Sequence, residues 1–252
     1  MTPNISPILR YKDGHAAINW LVDAFGFEKQ GVFDAPDGGV AHAELKLGDG
    51  VIGLSSAGAA QPGNPWSTVR QGLYVTVTDA DRLHDRAKAA GADIVSPLKD
   101  QDYGSREFGA RDLDGHLWGF GTYAMAKEGE PNIFPGLHYR DSRAALEWLE
   151  RAFGFVKTFD VPGPDGSIVH AESRLGDGTI FLESGPRDSA VWGDNAQAIY
   201  VRVEDPDEHH KRAVSAGATI IKPPHDTPWA RGYYAFDVEG FVWGFSTYRP
   251  AS

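Results

Sequence analysis

The sequence contains no cysteine and only two methionines. The absence of cysteine excludes disulfide bonds, thiolate catalysis and cysteine-based metal sites. The formal net charge is −11 and no basic run occurs, which argues against a nucleic-acid partner, because phosphate binding needs clustered lysine and arginine. No apolar stretch has the length of a membrane span, and the first residues lack the basic and apolar regions of a signal peptide. These absences predict a cytoplasmic protein with no membrane partner.

The chain repeats itself after about 128 residues. Residues 7–27 match residues 135–155 at 12 of 21 positions, and the tripeptide His-Ala-Glu recurs at 42–44 and 170–172. A repeat of this length indicates two copies of a whole domain rather than a solenoid of short units. With 252 residues, 41% of them hydrophobic and 23% charged, the chain has the length and composition of two soluble globular domains. We predict domains at 1–126 and 127–252.

Each copy divides again into two units with the same predicted order of elements. In the first unit, residues 8–11 alternate like a strand, and residues 15–25 carry apolar side chains at helical spacing before a terminating glycine. Asp-Gly pairs at 37–38 and 49–50 predict two-residue turns between the strands that follow. The sequence therefore predicts an α+β protein of four βαβββ modules, arranged as two domains in tandem.

Two motifs of each copy resemble a known superfamily. Ala24-Phe-Gly-Phe27 resembles the helix end, and residues 111–120 (RDLDGHLWGF) resemble the final hairpin, of the vicinal oxygen chelate superfamily. That superfamily includes glyoxalase I, bleomycin-resistance proteins, fosfomycin-resistance enzymes and extradiol dioxygenases. The resemblance covers nearly the whole chain and implies a pseudo-dimeric monomer. It implies no single activity, because the superfamily contains isomerases, transferases, dioxygenases and drug-binding proteins without activity.

Strand parity predicts which side chains face a ligand cavity. In modules of this kind the helices cover one face of the sheet, and the concave face is left for a ligand. The predicted cavity residues of one strand in each copy are Val40, His42, Glu44 and Lys46, and Ile168, His170, Glu172 and Arg174. The first strand of each copy adds Arg10 and His138.

Hairpin geometry predicts a cluster in each copy. A turn at residues 49–50 pairs Glu44 with Ser55, and the matching turn pairs Glu172 with Glu183. Facing carboxylates repel unless a proton, a cation or a basic side chain lies between them. The predicted cluster of the second copy comprises His138, His170, Glu172 and Glu183. Its counterpart comprises Arg10, His42, Glu44 and Ser55, in which the arginine neutralises the glutamate.

The resemblance also implies where a metal would bind. The superfamily usually takes one ligand from a first strand and one glutamate from a later strand in each of two modules, and Glu44 and Glu172 match the first-module glutamate. The remaining positions fall near Ser6, Phe134, Leu73, Gly119, Ile199 and Gly244. Among them only serine offers a ligand, and a weak one, so we expect neither the usual metal site nor the activities that need it. A divalent metal at His138, Glu172 and Glu183 is an alternative.

Two tryptophans occupy equivalent places in polar loops. Trp66 and Trp192 lie where no core requires an indole, and the resemblance to drug-binding members implies that loop aromatics cover a planar ligand. Tyr74 and Tyr200, on the predicted cavity side of their strands, extend that wall. The alternative is that the indoles seal a domain edge. Parity places Trp118, Phe120, Trp243 and Phe245 in the cores beneath the helices.

Three functions remain open at this point. The leading hypothesis is binding of a small, partly aromatic molecule without a cofactor. The alternative is a lyase or isomerase whose catalytic residues are His170, Glu172 and Glu183 of the second copy, with or without a divalent metal. The third is a scaffold or dimerisation module without a ligand. The mismatches Arg10/His138 and Ser55/Glu183 point to the second copy if either has an activity.

Overall fold

The computed structural model describes residues 4–57, 70–185 and 196–249. It confirms the α+β class and the four βαβββ modules. Module 1 contains β1 (Ile5–Tyr11), α1 (Gly14–Phe25), β2 (Glu28–Asp34), β3 (Val40–Leu47) and β4 (Gly50–Ser56). Module 2 contains β5 (Gly72–Thr76), α2 (Ala80–Ala89), β6 (Asp93–Asp100), β7 (Arg106–Arg111) and β8 (Leu117–Gly121).

The second half of the chain repeats this order. Module 3 contains β9 (Ile133–Tyr139), α3 (Ser142–Phe153), β10 (Val156–Pro162), β11 (Ile168–Leu175) and β12 (Gly178–Ser184). Module 4 contains β13 (Ala198–Arg202), α4 (Pro206–Ser215), β14 (Thr219–Asp226), β15 (Arg231–Phe236) and β16 (Val242–Ser246). Among the described residues, no helix is both long and apolar enough to cross a membrane.

The helices form where the periodicity predicts them. Asp13 caps α1 by accepting a hydrogen bond from the backbone nitrogen of Ala16, and Gly26 ends the helix in the left-handed conformation, with φ of 82°. Asp141 and Gly154 have the same roles for α3. The buried face of each helix covers its core, and the predicted core indoles of Trp118 and Trp243 are fully buried there.

The cores and the sheets divide the chain differently. One core draws on modules 1 and 2 together with Ile133, and the other draws on modules 3 and 4 together with Ile5. Each eight-stranded sheet, however, combines modules from both halves. Sheet A has the order β14-β15-β16-β13-β1-β4-β3-β2, and sheet B has the order β10-β11-β12-β9-β5-β8-β7-β6. Both sheets therefore cross the predicted boundary near residue 126, and each core takes one residue from beyond it.

Two buried glutamines hold the centres of the sheets together. Sheet A joins modules 1 and 4 through the short antiparallel contact between β1 and β13. Beside that contact, Gln71 of module 2 donates from Nε2 to the carbonyl oxygens of Ile8 and Ala198, over 2.7 and 2.5 Å. Gln197 does the same in sheet B, donating to the carbonyls of Gly72 and Gly136. These bonds satisfy carbonyl groups where the strands separate.

The repeated motif of the last hairpin holds consecutive modules together through a buried aspartate. The buried carboxylate of Asp112 accepts hydrogen bonds from the Tyr11 hydroxyl at 2.6 Å and from Trp118 Nε1 at 2.9 Å. Asp237 binds Tyr139 and Trp243 in the same way. Because each bond to tyrosine joins two consecutive modules, this part of the repeat explains the fold rather than a function.

Candidate functional site

The concave face of sheet A holds an aromatic cavity of about 460 Å³. It lies mainly against module 4, and its edge reaches His42 of module 1. Four tyrosines of module 4 line it: Tyr200 on β13, Tyr233 and Tyr234 on β15, and Tyr248 just after β16. Gly232 on β15 lines it too and leaves part of the floor without a side chain. The cavity is thus shared between modules from opposite ends of the chain.

Tyr248 connects the two sides of this cavity. Its hydroxyl donates to Glu44 Oε1 over 2.7 Å, and His42 Nε2 lies 3.2 Å from the same oxygen. Glu44 is only 2% exposed, so these polar contacts compensate for the burial of its carboxylate. Burial, followed by the bond to Glu44, raises the pKa of Tyr248 well above its usual value. The phenol therefore remains a donor across the physiological pH range.

Two large aromatic side chains stand at the mouth of the cavity. Trp229, in the loop between β14 and β15, is 79% exposed, and Phe33 on β2 is 61% exposed. Both line the cavity. The predicted loop tryptophans, Trp66 and Trp192, lie outside the described residues.

Arg10 lies at a second, polar cleft of sheet A. Its Nη1 donates to Ser55 Oγ over 2.8 Å, and burial lowers its pKa. The expected pairing of Arg10 with Glu44 is wrong, because β1 runs parallel to β4 and sets Arg10 directly beside Ser55, while Glu44 bonds with Tyr248 and His42. The cleft has a volume of about 580 Å³ and shares Ala41 with the aromatic cavity.

Several described side chains on the concave face of sheet B bond to or pack against one another. Glu107 accepts hydrogen bonds from Tyr74 at 2.9 Å and from Tyr103 at 2.8 Å. Burial raises the pKa of Tyr74 strongly, and Tyr74 packs in a small buried cluster that contains Phe181. The Phe181 ring lies against Gly136, where no other side chain could fit. Tyr74 is thus a core residue of sheet B rather than part of an open wall.

The four side chains of the predicted acidic and imidazole cluster lie on sheet B as two pairs. His138 Nδ1 lies 4.0 Å from Glu183 Oε2, and β9 and β12 place the two residues side by side. His170 Nε2 lies 3.5 Å from Glu172 Oε1, which also accepts a 2.8 Å bond from Tyr123. Burial raises the pKa of Glu183, although the nearby His170 opposes that shift.

The predicted pairing of Glu172 with Glu183 is wrong. Glu172 pairs with Phe181, and Glu44 pairs with Gly53. The turns begin one residue earlier than the Asp-Gly pairs indicate, because Gly48 and Gly176 take the left-handed conformation with φ of 62°. This shifts each strand by two residues, so the side chains stay on the predicted face but meet different partners.

Two β-bulges reverse the predicted orientation at the start of β3 and β11. The register shifts between Phe33 and Asp34, and between Val161 and Pro162. Val40 and Ile168, predicted for the cavity, are instead buried in the cores. Ala41, which alternation along the strand would place on the opposite face, lines both cavities of sheet A. An extra residue in one strand breaks the alternation of faces.

Comparisons with known proteins agree with this architecture. The model of the Glyoxalase/Bleomycin resistance protein/Dioxygenase superfamily matches residues 5–120 and 136–245. The chain belongs to this superfamily. An uncharacterized protein of Mycobacterium bovis is 32% identical over 117 residues, which are 43% of this chain and 77% of that protein.

Solved structures show the same fold across the whole chain of this superfamily member. Glyoxalase I from Zea mays has a TM-score of 0.76 at 17% identity, covering 98% of this chain and 92% of that chain. A putative dioxygenase from Bacillus subtilis has a TM-score of 0.67 at 15% identity, covering 99% of this chain and 86% of that chain. At these identities the likeness extends to the fold alone.

The positions that the superfamily uses for a metal do not fit one here. Phe134 takes one expected ligand position with an aromatic ring, and the weak ligand Ser6 pairs with Tyr200 at the centre of sheet A. Across residues 4–57, 70–185 and 196–249, no group of three or more histidine and carboxylate side chains could hold a metal. The alternative metal site at His138, Glu172 and Glu183 is therefore not formed within those ranges.

Sequence reasoning missed four polar residues of the two concave faces. These residues are Tyr103, Glu107, Tyr123 and Tyr248. A signal for two of them existed, because Thr-Tyr follows the last strand of both copies at 122–123 and 247–248. No pattern pointed to Glu107, since module 4 has Gly232 at the same place.

Proposed function

We propose that this superfamily member binds a small, partly aromatic molecule in the cavity of sheet A. The observation that carries the proposal is the cavity itself, about 460 Å³ in volume and lined by Tyr200, Tyr234, Tyr248 and the exposed Trp229. Its volume lies in the usual range for small-molecule sites, which are mostly apolar with a few polar groups. His42 and the Tyr248 hydroxyl supply such groups, and both contact the buried Glu44. Stacking of a planar ligand on these rings would favour binding.

This function needs no cofactor at the superfamily's usual metal positions, whose residues do not fit a metal. In this proposal the protein acts in the cytoplasm as a monomer, since one chain supplies all four modules of both sheets. The role of the protein would then be to sequester its ligand.

A variant that copies sheet B into sheet A tests the proposal. Glu107 and Gly121 of sheet B correspond to Gly232 and Ser246 of sheet A, which pair in the same register. A side chain at Gly232 would collide with Ser246 Cβ at 2.5 Å and with the Phe245 carbonyl oxygen at 2.6 Å, so Ser246 must be exchanged as well and the backbone must shift slightly, as it does around Glu107 in sheet B. We expect Gly232→Glu with Ser246→Gly to fill the cavity and to weaken binding of a neutral aromatic probe by roughly a hundredfold.

The probe is anilinonaphthalene, whose fluorescence rises in apolar surroundings. The matched control is the reverse exchange in sheet B, Glu107→Gly with Gly121→Ser, which leaves the sheet A site intact. Saturable binding of one probe per chain, lost only in the first variant, would support the proposal. Equal binding by the wild type and the first variant would contradict it and would favour a scaffold without a ligand.

Glu183 supports a second candidate, a lyase or isomerase that uses sheet B. Its carboxyl has a raised pKa and is 33% exposed at the side chain, and it lies beside His138 and close to His170. A carboxyl group of this kind suits proton transfer near neutral pH. Glu183→Gln should then abolish turnover of any substrate found by screening, while Glu107→Gln should retain it. Unchanged turnover in Glu183→Gln would remove this candidate.

A further inference from the structure

The polar cleft of sheet A contains a guanidinium without a counter-charge. Arg10 has one hydrogen bond, to the neutral Ser55, and its Nε is buried without a partner. No ion pair of Arg10 occurs among the described residues. Residues 58–69, which follow β4, contain no aspartate or glutamate, so this stretch of sequence provides no carboxylate either.

We propose that the ligand of sheet A carries an anionic group that binds Arg10, next to an aromatic body in the tyrosine-lined cavity. This inference rests on the proposed function and specifies the class of ligand as a small aromatic anion. A partly buried cation without a partner is unfavourable, and an entering carboxylate, sulfonate or phosphate relieves that cost. The planar guanidinium suits such groups, because two of its N–H donors can bind two oxygens at once.

The other charged residues of the cleft are already engaged. Lys12 lies 3.8 Å from Asp114, and His15 lies 3.1 Å from Asp34. Asp13 caps α1, and Asp37 accepts a bond from the backbone of Gly39. Arg10 is therefore the group in the cleft with capacity for an anion. The shared residue Ala41 places this capacity next to the aromatic cavity.

Sheet B has a different pair of residues at the place of Arg10 and Ser55. His138 corresponds to Arg10, and Glu183 corresponds to Ser55, each pair being aligned on parallel strands. In sheet B the chain thus supplies its own carboxylate beside the basic side chain, at 4.0 Å. In sheet A the basic residue is arginine, a stronger base than histidine, and serine stands where sheet B has the carboxylate. Because Ser55 replaces the carboxylate of Glu183, a ligand can supply the anion beside Arg10.

Two probes that differ by a single anionic group test the inference. Anilinonaphthalene sulfonate carries the anion, and anilinonaphthalene is the same molecule without it. We expect Arg10→Met to weaken binding of the sulfonate by roughly tenfold or more and to leave binding of the neutral probe within about twofold. Ser55→Glu supplies the carboxylate of sheet B and should have the same selective effect. Arg140→Gln, which removes an exposed positive charge, is the control for net charge.

Each outcome has a clear meaning. Selective loss of the sulfonate in both variants, with increasing salt weakening only the sulfonate in the wild type, would support the anion site. Equal weakening of both probes would assign Arg10 a purely structural role, and unchanged binding of the sulfonate would overturn the inference. Retained binding of the neutral probe reports that each variant is folded. The proposed function fails separately, if the neutral probe binds equally to the variant that fills the cavity.

Discussion

The two sheets have equivalent strand orders but differ in the side chains on their concave faces. In sheet B, Phe181 fills the space over Gly136, and in sheet A the smaller Ile8 occupies the space over Gly53, where an added Cβ would lie 2.8 Å from Ile8 Cδ1. A second difference lies at the position of Glu107 in sheet B, where sheet A has Gly232. At these positions the same backbone therefore carries the larger side chains Phe181 and Glu107 in sheet B and the smaller Ile8 and Gly232 in sheet A. The repeat preserved the hydrogen-bonded frame and changed the size of the side chains on it.

Phe181 offers the most severe test of this comparison. It is buried against Gly136, so Phe181→Ala should leave a void and lower the free energy of unfolding by about 3–5 kcal/mol. Ile8→Ala in sheet A should cost less, because Ile8 is only partly buried. Urea unfolding measures both values.

The double variant Gly136→Ile with Phe181→Gly provides the control, because it copies the pair of sheet A into sheet B. We expect it to recover at least half of the stability lost in Phe181→Ala. A double variant that is less stable than Phe181→Ala would show that the two sheets do not share an equivalent frame at this point.

The sequence predicted the local structure of this chain better than its long-range pairing. Asp13 and Gly26 indicate where α1 begins and ends, and the repeat predicts the same helix at α3. No local pattern, however, shows that module 1 joins module 4. That pairing depends on the seam between β1 and β13 and on the bond from Tyr248 to Glu44, whose residues lie 204 positions apart.

Errors in the predicted site have local causes. The sequence allows a two-residue turn either at Gly48-Asp49 or at Asp49-Gly50. The structure has the first, in which Gly48 takes the left-handed conformation. The bulge beside Ala41 has no signal in the alternation of residues. His138, His170 and Glu183 were nevertheless brought together as predicted, because a shift of two residues keeps each side chain on its face.

The two tyrosine–glutamate bonds test which face binds a ligand. Tyr248→Phe and Tyr123→Phe each remove one hydroxyl from a buried carboxylate, Glu44 or Glu172. We expect each variant to lose about 1 kcal/mol of stability, since both tyrosines are partly exposed. Burial raises the pKa of Tyr123 to about 12, so both phenols are protonated at neutral pH in the wild type.

Ligand binding should separate these two variants. Tyr248 lines the cavity of sheet A, whereas Tyr123 lies on sheet B, so only Tyr248→Phe should change the affinity for anilinonaphthalene, by roughly threefold or more. Thermal unfolding and fluorescence titration on the same samples give both quantities. An equal change of affinity in the two variants would contradict the assignment of the site to sheet A.

The smallest expected effect concerns the layer between sheet A and its helix. His209 of α4 binds the Tyr233 hydroxyl at 2.6 Å and the Phe153 carbonyl at 3.0 Å. Leu83 and Phe108 take the places of His209 and Tyr233 in module 2, and these two apolar side chains cannot form a hydrogen bond. Burial lowers the pKa of His209 below its usual value of 6.5, against the effect of the bond to Phe153.

The direction of the pH effect follows from this lowered pKa. The unfolded chain takes up a proton at His209 as the pH falls below about 6.5, whereas the folded chain resists it. The stability that depends on His209 is therefore complete above that pH and declines as the pH falls toward the lower pKa of the folded state. His209→Leu with Tyr233→Phe copies the other half and should remove this decline. Urea unfolding at a series of pH values compares the two proteins, and identical pH profiles would show that the buried imidazole does not distinguish the two halves.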